Sequence, residues 1–157
     1  MDRLALPLRW PYTRLSQPHR QCQCLDLIRS FSLFSTNDKG ETIRVVGRYQ
    51  QFRAVKLSVK RLLEGNTPRE RSGIIWHTQG SGKSLTMMFM VREMYRFAQL
   101  SNWKVIFVTD RTQLESQLSE TSQSIGYTVK VANSINSLKD LLRNDTADLV
   151  MAMIHKF

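Results

Sequence analysis

The order of hydrophobic and polar residues divides the chain into an upstream part with little repeat and a downstream part that alternates. Residues 1–24 show neither a helical nor a strand period. They hold Pro7, Pro11 and Pro18 and are expected to be irregular or disordered. Leu25–Phe34 (LDLIRSFSLF) is a short apolar segment, predicted as a helix, and Ser35–Glu41 (STNDKGE) is predicted as a polar loop. From Val46 to Leu63, apolar Phe52, Val55, Val59, Leu62 and Leu63 recur at three- and four-residue steps. Arg53, Lys56, Lys60 and Arg61 lie between them, which is the spacing of a half-buried helix. Gly65, Asn66 and Pro68 end it.

Beyond residue 72 the pattern predicts a strand at Gly73–His77, a glycine-rich turn and a helix over Lys83–Leu100. A strand at Lys104–Thr109 follows, apolar without alternation and so expected to be buried on both faces. A helix at Arg111–Ser122, a strand at Tyr127–Val131, a helix at Ser134–Arg143 and a strand at Asp148–Ile154 complete the series. Strand–helix alternation with short links predicts an α/β fold, a parallel sheet with flanking helices. The expected organisation is an irregular 1–24, a helical lead-in over 25–71 and a sheet-forming lobe over 72–157.

Composition narrows the class. The chain has 157 residues, 41% of them hydrophobic and 23% charged, which fits one globular domain. No apolar run reaches the ~20 residues of a membrane-spanning helix, so a membrane partner is not expected. The two cysteines, Cys22 and Cys24, cannot form a four-cysteine zinc site and read as free thiols. Net charge is +10, and residues 1–71 carry 14 Lys and Arg against 6 Asp and Glu. A face that basic can attract nucleic acid or can simply be solvated.

The strongest chemical signal is Ile74–Ser84, IIWHTQGSGKS. Gly80 and Gly82 permit a sharp turn in which several N–H groups converge on one anion. The helix beginning at Lys83 adds free N–H groups and the positive end of its dipole. Thr78, Gln79, Gly80, Ser81, Gly82, Lys83 and Ser84 are therefore the candidate phosphate cradle of an ATP site. Lys83 would meet the β- and γ-phosphates, and the Ser84 hydroxyl would meet Mg²⁺. His77 stands where the general G-x-x-x-x-G-K-[ST] pattern has its first glycine.

A phosphate loop does not choose a reaction by itself. Arg48-Tyr49-Gln50-Gln51 followed by Phe52-Arg53-Ala54-Val55 resembles the adenine-reading motif of superfamily 2 helicases and translocases. The resemblance implies that Gln51 reads adenine, its amide donating and accepting together. Phe107–Leu114 (FVTDRTQL) is similar to the segment of such motors that holds the nucleic-acid backbone, which points to Asp110 and Arg111. Without the family, Gln51 is a helix-start polar residue, Asp110 a helix cap and Arg111 a solvated cation.

From Leu25 to Phe157 the chain resembles the restriction (R) subunit of type I restriction-modification enzymes, in the first RecA-like lobe of its motor. LDLIRSFSLF, GRYQQFRAV, GIIWHTQGSGKSLTMMFM, VIFVTDRTQLESQL and DLVMAMIHKF carry the resemblance, and the HTQGSGKS form with histidine is itself like that family. It implies a prokaryotic cytoplasmic protein that couples ATP and Mg²⁺ to translocation of double-stranded DNA and then to its cleavage. It also implies a complex with specificity and methylation subunits, and a nuclease domain upstream that residues 1–24 do not supply. Hydrolysis in such motors uses an Asp-Glu pair, and no adjacent Asp-Glu pair occurs in this sequence. The expectation is an incomplete lobe that binds nucleotide weakly and turns it over negligibly. A small phosphotransferase and a non-enzymatic nucleic-acid-binding fragment are the alternatives.

Overall fold

The computed structural model describes residues 17–36, 39–110, 112–124, 126–144, 146 and 148–156. The first helix, α1, spans Gln17–Ser30, so it begins inside the stretch expected to be irregular. Pro18 does not oppose it, because the first turn of a helix needs no N–H from that residue. The helix expected through Phe34 stops at Ser30. Strand β1 (Ser32–Thr36) follows and pairs antiparallel with β2 (Thr42–Val46), Phe34 opposite Arg44. Burial decides the change: Phe31 and Leu33 lie in the core, at 0% and 5% exposure. The backbone returns through Gly40, at φ 78°. Gly47 then passes so near the core that a Cβ there would meet the Phe89 ring at 2.9 Å.

Helix α2 (Tyr49–Glu64) matches the spacing read from the sequence and buries Gln51, Val55 and Val59. A short helix α3 (Pro68–Arg71) is capped by Thr67, whose hydroxyl accepts from the Glu70 N–H. The long helix expected over Lys83–Leu100 is two helices. Helix α4 (Lys83–Met94) ends at Tyr95, and α5 (Ala98–Ser101) starts beyond an extended Phe97, φ −103° and ψ 125°. Apolar spacing continues across the break because both helices feed one core, which periodicity alone reads as one helix.

Strand β3 (Val105–Thr109), helix α6 (Thr112–Ser124), strand β4 (Val129–Ala132), helix α7 (Ile135–Arg143) and strand β5 (Leu149–Met153) complete the fold, followed by a 3₁₀ turn at Ile154–Lys156. The sheet order is β3-β5-β4 and all pairings are parallel, as expected for an α/β chain. β5 is central and wholly buried. β3 is not buried on both faces: Ile106 and Val108 are 44% and 64% exposed, because the covering helices pack on its other face.

Gly73–His77 departs furthest from expectation. This segment forms no strand, and Ile74 and Trp76 are 95% and 88% exposed. Among the described residues nothing pairs with it, so its strand-like composition is not realised as a sheet position.

Two apolar clusters meet at α4. Phe31, Leu33, Val55, Val59, Phe89, Met94 and Leu100 fill the space between α1, the hairpin, α2 and α4. Met88, Val91, Phe107, Leu118, Leu149 and Met151 fill the space between α4, α6 and the sheet. The helix that starts at the glycine-rich loop is thus held on both sides.

Candidate nucleotide-binding site

Gly80 and Gly82 both adopt left-handed conformations, with φ 74° and 78°, and Gly82 is the N-cap of α4. Residues with a Cβ rarely reach that region, which is the local reason for glycine at both positions. The chain turns back on itself at Thr78: its carbonyl accepts from the Ser81 hydroxyl at 2.6 Å and from Lys83 Nζ at 2.9 Å. Lys83 therefore lies over its own loop while remaining exposed to solvent. An ammonium has three donors, so it can keep Thr78 and still meet phosphate oxygens. Thr78, Gln79, Gly80, Gly82 and Lys83 are exposed, while Ser81 and Ser84 are half-buried at the mouth of the helix.

Gln51, 30 residues upstream of Ser81, reaches the same loop. Its Nε2 donates to the carbonyls of Ser81 at 3.2 Å and Gly82 at 3.0 Å. Its Oε1 accepts from the Arg48 N–H at 2.8 Å, tying the side chain to the start of α2. This is half of a capping box; arginine has no acceptor to return the bond. Gln51 is 3% exposed. Beside it an open groove of about 1390 Å³ runs between α2 and the 73–78 segment, with Tyr49, Arg53, Arg61, Ile75 and His77 in its walls.

Helices α2 and α4 are fastened by charge below the site. Lys56 donates to Glu93 Oε1 and to Asp26 Oδ2, both at 2.6 Å. Arg96 donates to Glu93 Oε2 at 2.9 Å, to the Ser30 hydroxyl at 2.9 Å and to Asp26 Oδ1 at 3.2 Å. Burial alone would raise the Asp26 carboxyl; the bonds and charges of Lys56 and Arg96 outweigh it and hold it below the ordinary value. No local pattern signals this cluster, since its members come from separate parts of the chain.

Asp110, the expected DNA contact, stands exposed at the carboxyl end of β3, and its carbonyl accepts from the His155 ring at the end of β5. Just before it, the buried Thr109 hydroxyl has no partner among the described residues. Arg111 lies outside the described residues. Asp148 sits at the opposite end of the sheet, where Lys130 donates to it at 2.7 Å; that bond, with one from Thr146, keeps its carboxyl low.

The fit to ATP and Mg²⁺ rests on the loop itself. Its two left-handed glycines, the start of α4 and an ammonium over the turn are the features a polyphosphate would require of such a loop. Among the described residues no three His, Cys, Asp or Glu gather as a metal site. A Mg²⁺ here would rest on the Ser84 hydroxyl, phosphate oxygens and water, which is its usual preference. No described helix is long and apolar enough to cross a membrane.

A parallel sheet, a glycine-rich loop opening a central helix and a glutamine reaching that loop define the class, and the family model for the SWI2/SNF2 ATPase matches residues 50–157. The chain belongs to that family. Over most of its length its relatives are endonuclease subunits of type I restriction enzymes. It is 34% identical over 136 residues to the putative MjaIXP endonuclease subunit of Methanocaldococcus jannaschii, covering 83% of this chain and 13% of that protein. It is 34% identical over 140 residues to the HindI endonuclease subunit of Haemophilus influenzae, covering 85% of this chain and 13% of that protein. A match to the MjaVIIIP endonuclease subunit of M. jannaschii, 25% identical, covers 99% of this chain and so runs through most of residues 1–24. The chain spans about an eighth of the length of the first two relatives.

Proposed function

We propose that this chain is the ATP-binding part of the DNA translocase of a type I restriction enzyme R subunit. The loop over Thr78–Ser84 takes the phosphates of ATP, Lys83 meets their β- and γ-oxygens, and Ser84 meets Mg²⁺. Gln51, in contact with the loop, stands at the adenine end. Asp110, beyond the carboxyl end of β3, contacts double-stranded DNA, and Arg111, next in the sequence, is the second contact of the proposed interface. The specificity and methylation subunits are the protein partners. In the full assembly these parts serve ATP-driven translocation and cleavage, as the relatives' description as endonuclease subunits supports.

The observation that carries the reading is the loop geometry: left-handed Gly80 and Gly82, and Lys83 folded over the turn onto Thr78. This chain on its own is expected to bind nucleotide and hydrolyse it negligibly. It has no adjacent Asp-Glu pair. The first carboxylate downstream of the loop, Glu93, is 1% exposed and committed to Lys56 and Arg96. Calorimetric titration with Mg-ATP tests the site. Lys83→Ala should weaken binding about 10- to 100-fold, the range for losing charge-assisted hydrogen bonds. Equal affinity in both proteins would dismiss the site, and DNA-stimulated ATP hydrolysis by this chain would overturn its expected inactivity.

A further inference from the structure

We infer that Gln51 is a positioning residue for the phosphate loop: its side-chain amide fixes the Ser81–Gly82 peptide plane and braces the Gly82–Lys83 plane that Thr86 also holds, so that the N–H groups of Gly82 and Lys83 face the polyphosphate. This rests on the nucleotide-site reading above and gives Gln51 a task at the phosphates, with both of its amide hydrogens already given to the loop.

In a trans peptide, C=O and N–H point in opposite directions across a rigid plane. Among the described residues, Gln51 Nε2 alone holds the carbonyl of Ser81, and it shares that of Gly82 with the Thr86 N–H at 3.0 Å and hydroxyl at 3.1 Å. The other ends of those two peptides are the N–H groups of Gly82 and Lys83, which are thereby turned away from Gln51. Lys83 is also the first residue of α4, so its N–H has no acceptor within the helix. Two adjacent N–H groups aimed the same way are an anion nest.

The orientation of the side chain is fixed by its own partners. Oε1 receives the Arg48 N–H, and a flipped amide would bring an oxygen against two carbonyl oxygens. The approach leaves no slack: a Cβ on Gly82 would lie 2.7 Å from Nε2. The Lys56–Glu93 ion pair joins α2 to α4 and so sets the distance the amide must span. With both ends of the amide committed to backbone, removing Gln51 reaches the phosphates even when no base is present.

The test uses a ligand without a base. Binding of Mg-tripolyphosphate and Mg-ATP is measured for wild-type chain, Gln51→Met, Gln51→Glu and Lys83→Ala. Gln51→Met should weaken tripolyphosphate about five- to tenfold, the worth of one or two hydrogen bonds. Gln51→Glu keeps the acceptor for Arg48 but loses both donors, so it should weaken tripolyphosphate at least as much. Loss of ATP affinity with tripolyphosphate unchanged would overturn the inference and leave Gln51 as a base reader alone. Wild-type chain that binds neither ligand would instead overturn the nucleotide site, and this inference with it. A wild-type measurement covers the case in which the variants do not fold. The Gln51 side-chain NH₂ protons should stay protected from solvent exchange with tripolyphosphate bound, and fast exchange in that state would sink the idea.

Discussion

At the scale of single residues, the loop owes its shape to two glycines that are not equivalent. Gly80 has φ 74° and open space where a Cβ would stand, with nothing within 4 Å, whereas Gly82 has φ 78° and the Gln51 amide at 2.7 Å from that position. Alanine at either position carries the left-handed cost of ~1–2 kcal/mol. Only Gly82→Ala also pushes away Gln51, so it should weaken tripolyphosphate more than Gly80→Ala at a similar loss of thermal stability. Equal weakening by the two would show that the amide contact does not matter. The left-handed turn at the two glycines and the helix start at Lys83 were legible in the sequence because they are set by consecutive residues. Gln51 was singled out only through resemblance. Its bonds to Ser81 and Gly82 were not, since nothing local to Gln51 signals a partner 30 residues away.

At the scale of elements, α4 is the part on which the others converge, and its charged anchor gives a pH-dependent term. Asp26 on α1 has its carboxyl held below its ordinary value in the fold by Lys56 and Arg96. A depressed carboxylate stabilises the fold above its ordinary value and loses that contribution as pH falls through the lowered one. Lys56→Met should therefore cost about 2–3 kcal/mol at neutral pH, under the ~3–5 of a fully buried pair because Arg96 remains. It should also shrink the further loss of stability between pH 7 and pH 3 in urea melts. An unchanged acid slope would remove Lys56 from the account of Asp26. A second anchor fixes α7: Lys104 Nζ donates to the carbonyls of Leu141 at 2.5 Å and Leu142 at 3.2 Å, and also to that of Asn144. Helix ends leave such carbonyls unpaired, and a cation there is favourable. Helices α2, α6 and α7 could be placed from sequence to within a few residues because each has its own stripe or cap. The break after Met94 and the β1–β2 hairpin could not, because they are settled by what Phe97, Phe31 and Leu33 pack against.

Across the whole molecule, apolar residues are divided in a way their spacing does not announce. Ile74 and Trp76 are almost fully exposed, while Val150 and Met151 of β5 are 0% exposed. Replacing Ile74 and Trp76 with serine should shift stability by no more than about 0.5 kcal/mol. Met151→Ala should cost about 2–4 kcal/mol. Urea melts measure both, and a large loss from the Ile74 and Trp76 changes would mean that the segment is packed in solution. The exposed pair should also account for much of the chain's binding of a hydrophobic dye. Residue order was enough for the α/β alternation, the parallel character of the sheet and the left-handed turn at Gly80 and Gly82. Each of these follows from residue spacing within one element or from backbone conformations that only glycine tolerates. Packing settled which apolar strand-like segments enter the sheet, where α4 stops, and that Lys56, Asp26, Glu93 and Arg96 form one cluster. Those outcomes depend on which surfaces find a partner across the fold, and burial beside a distant element leaves no mark on local periodicity.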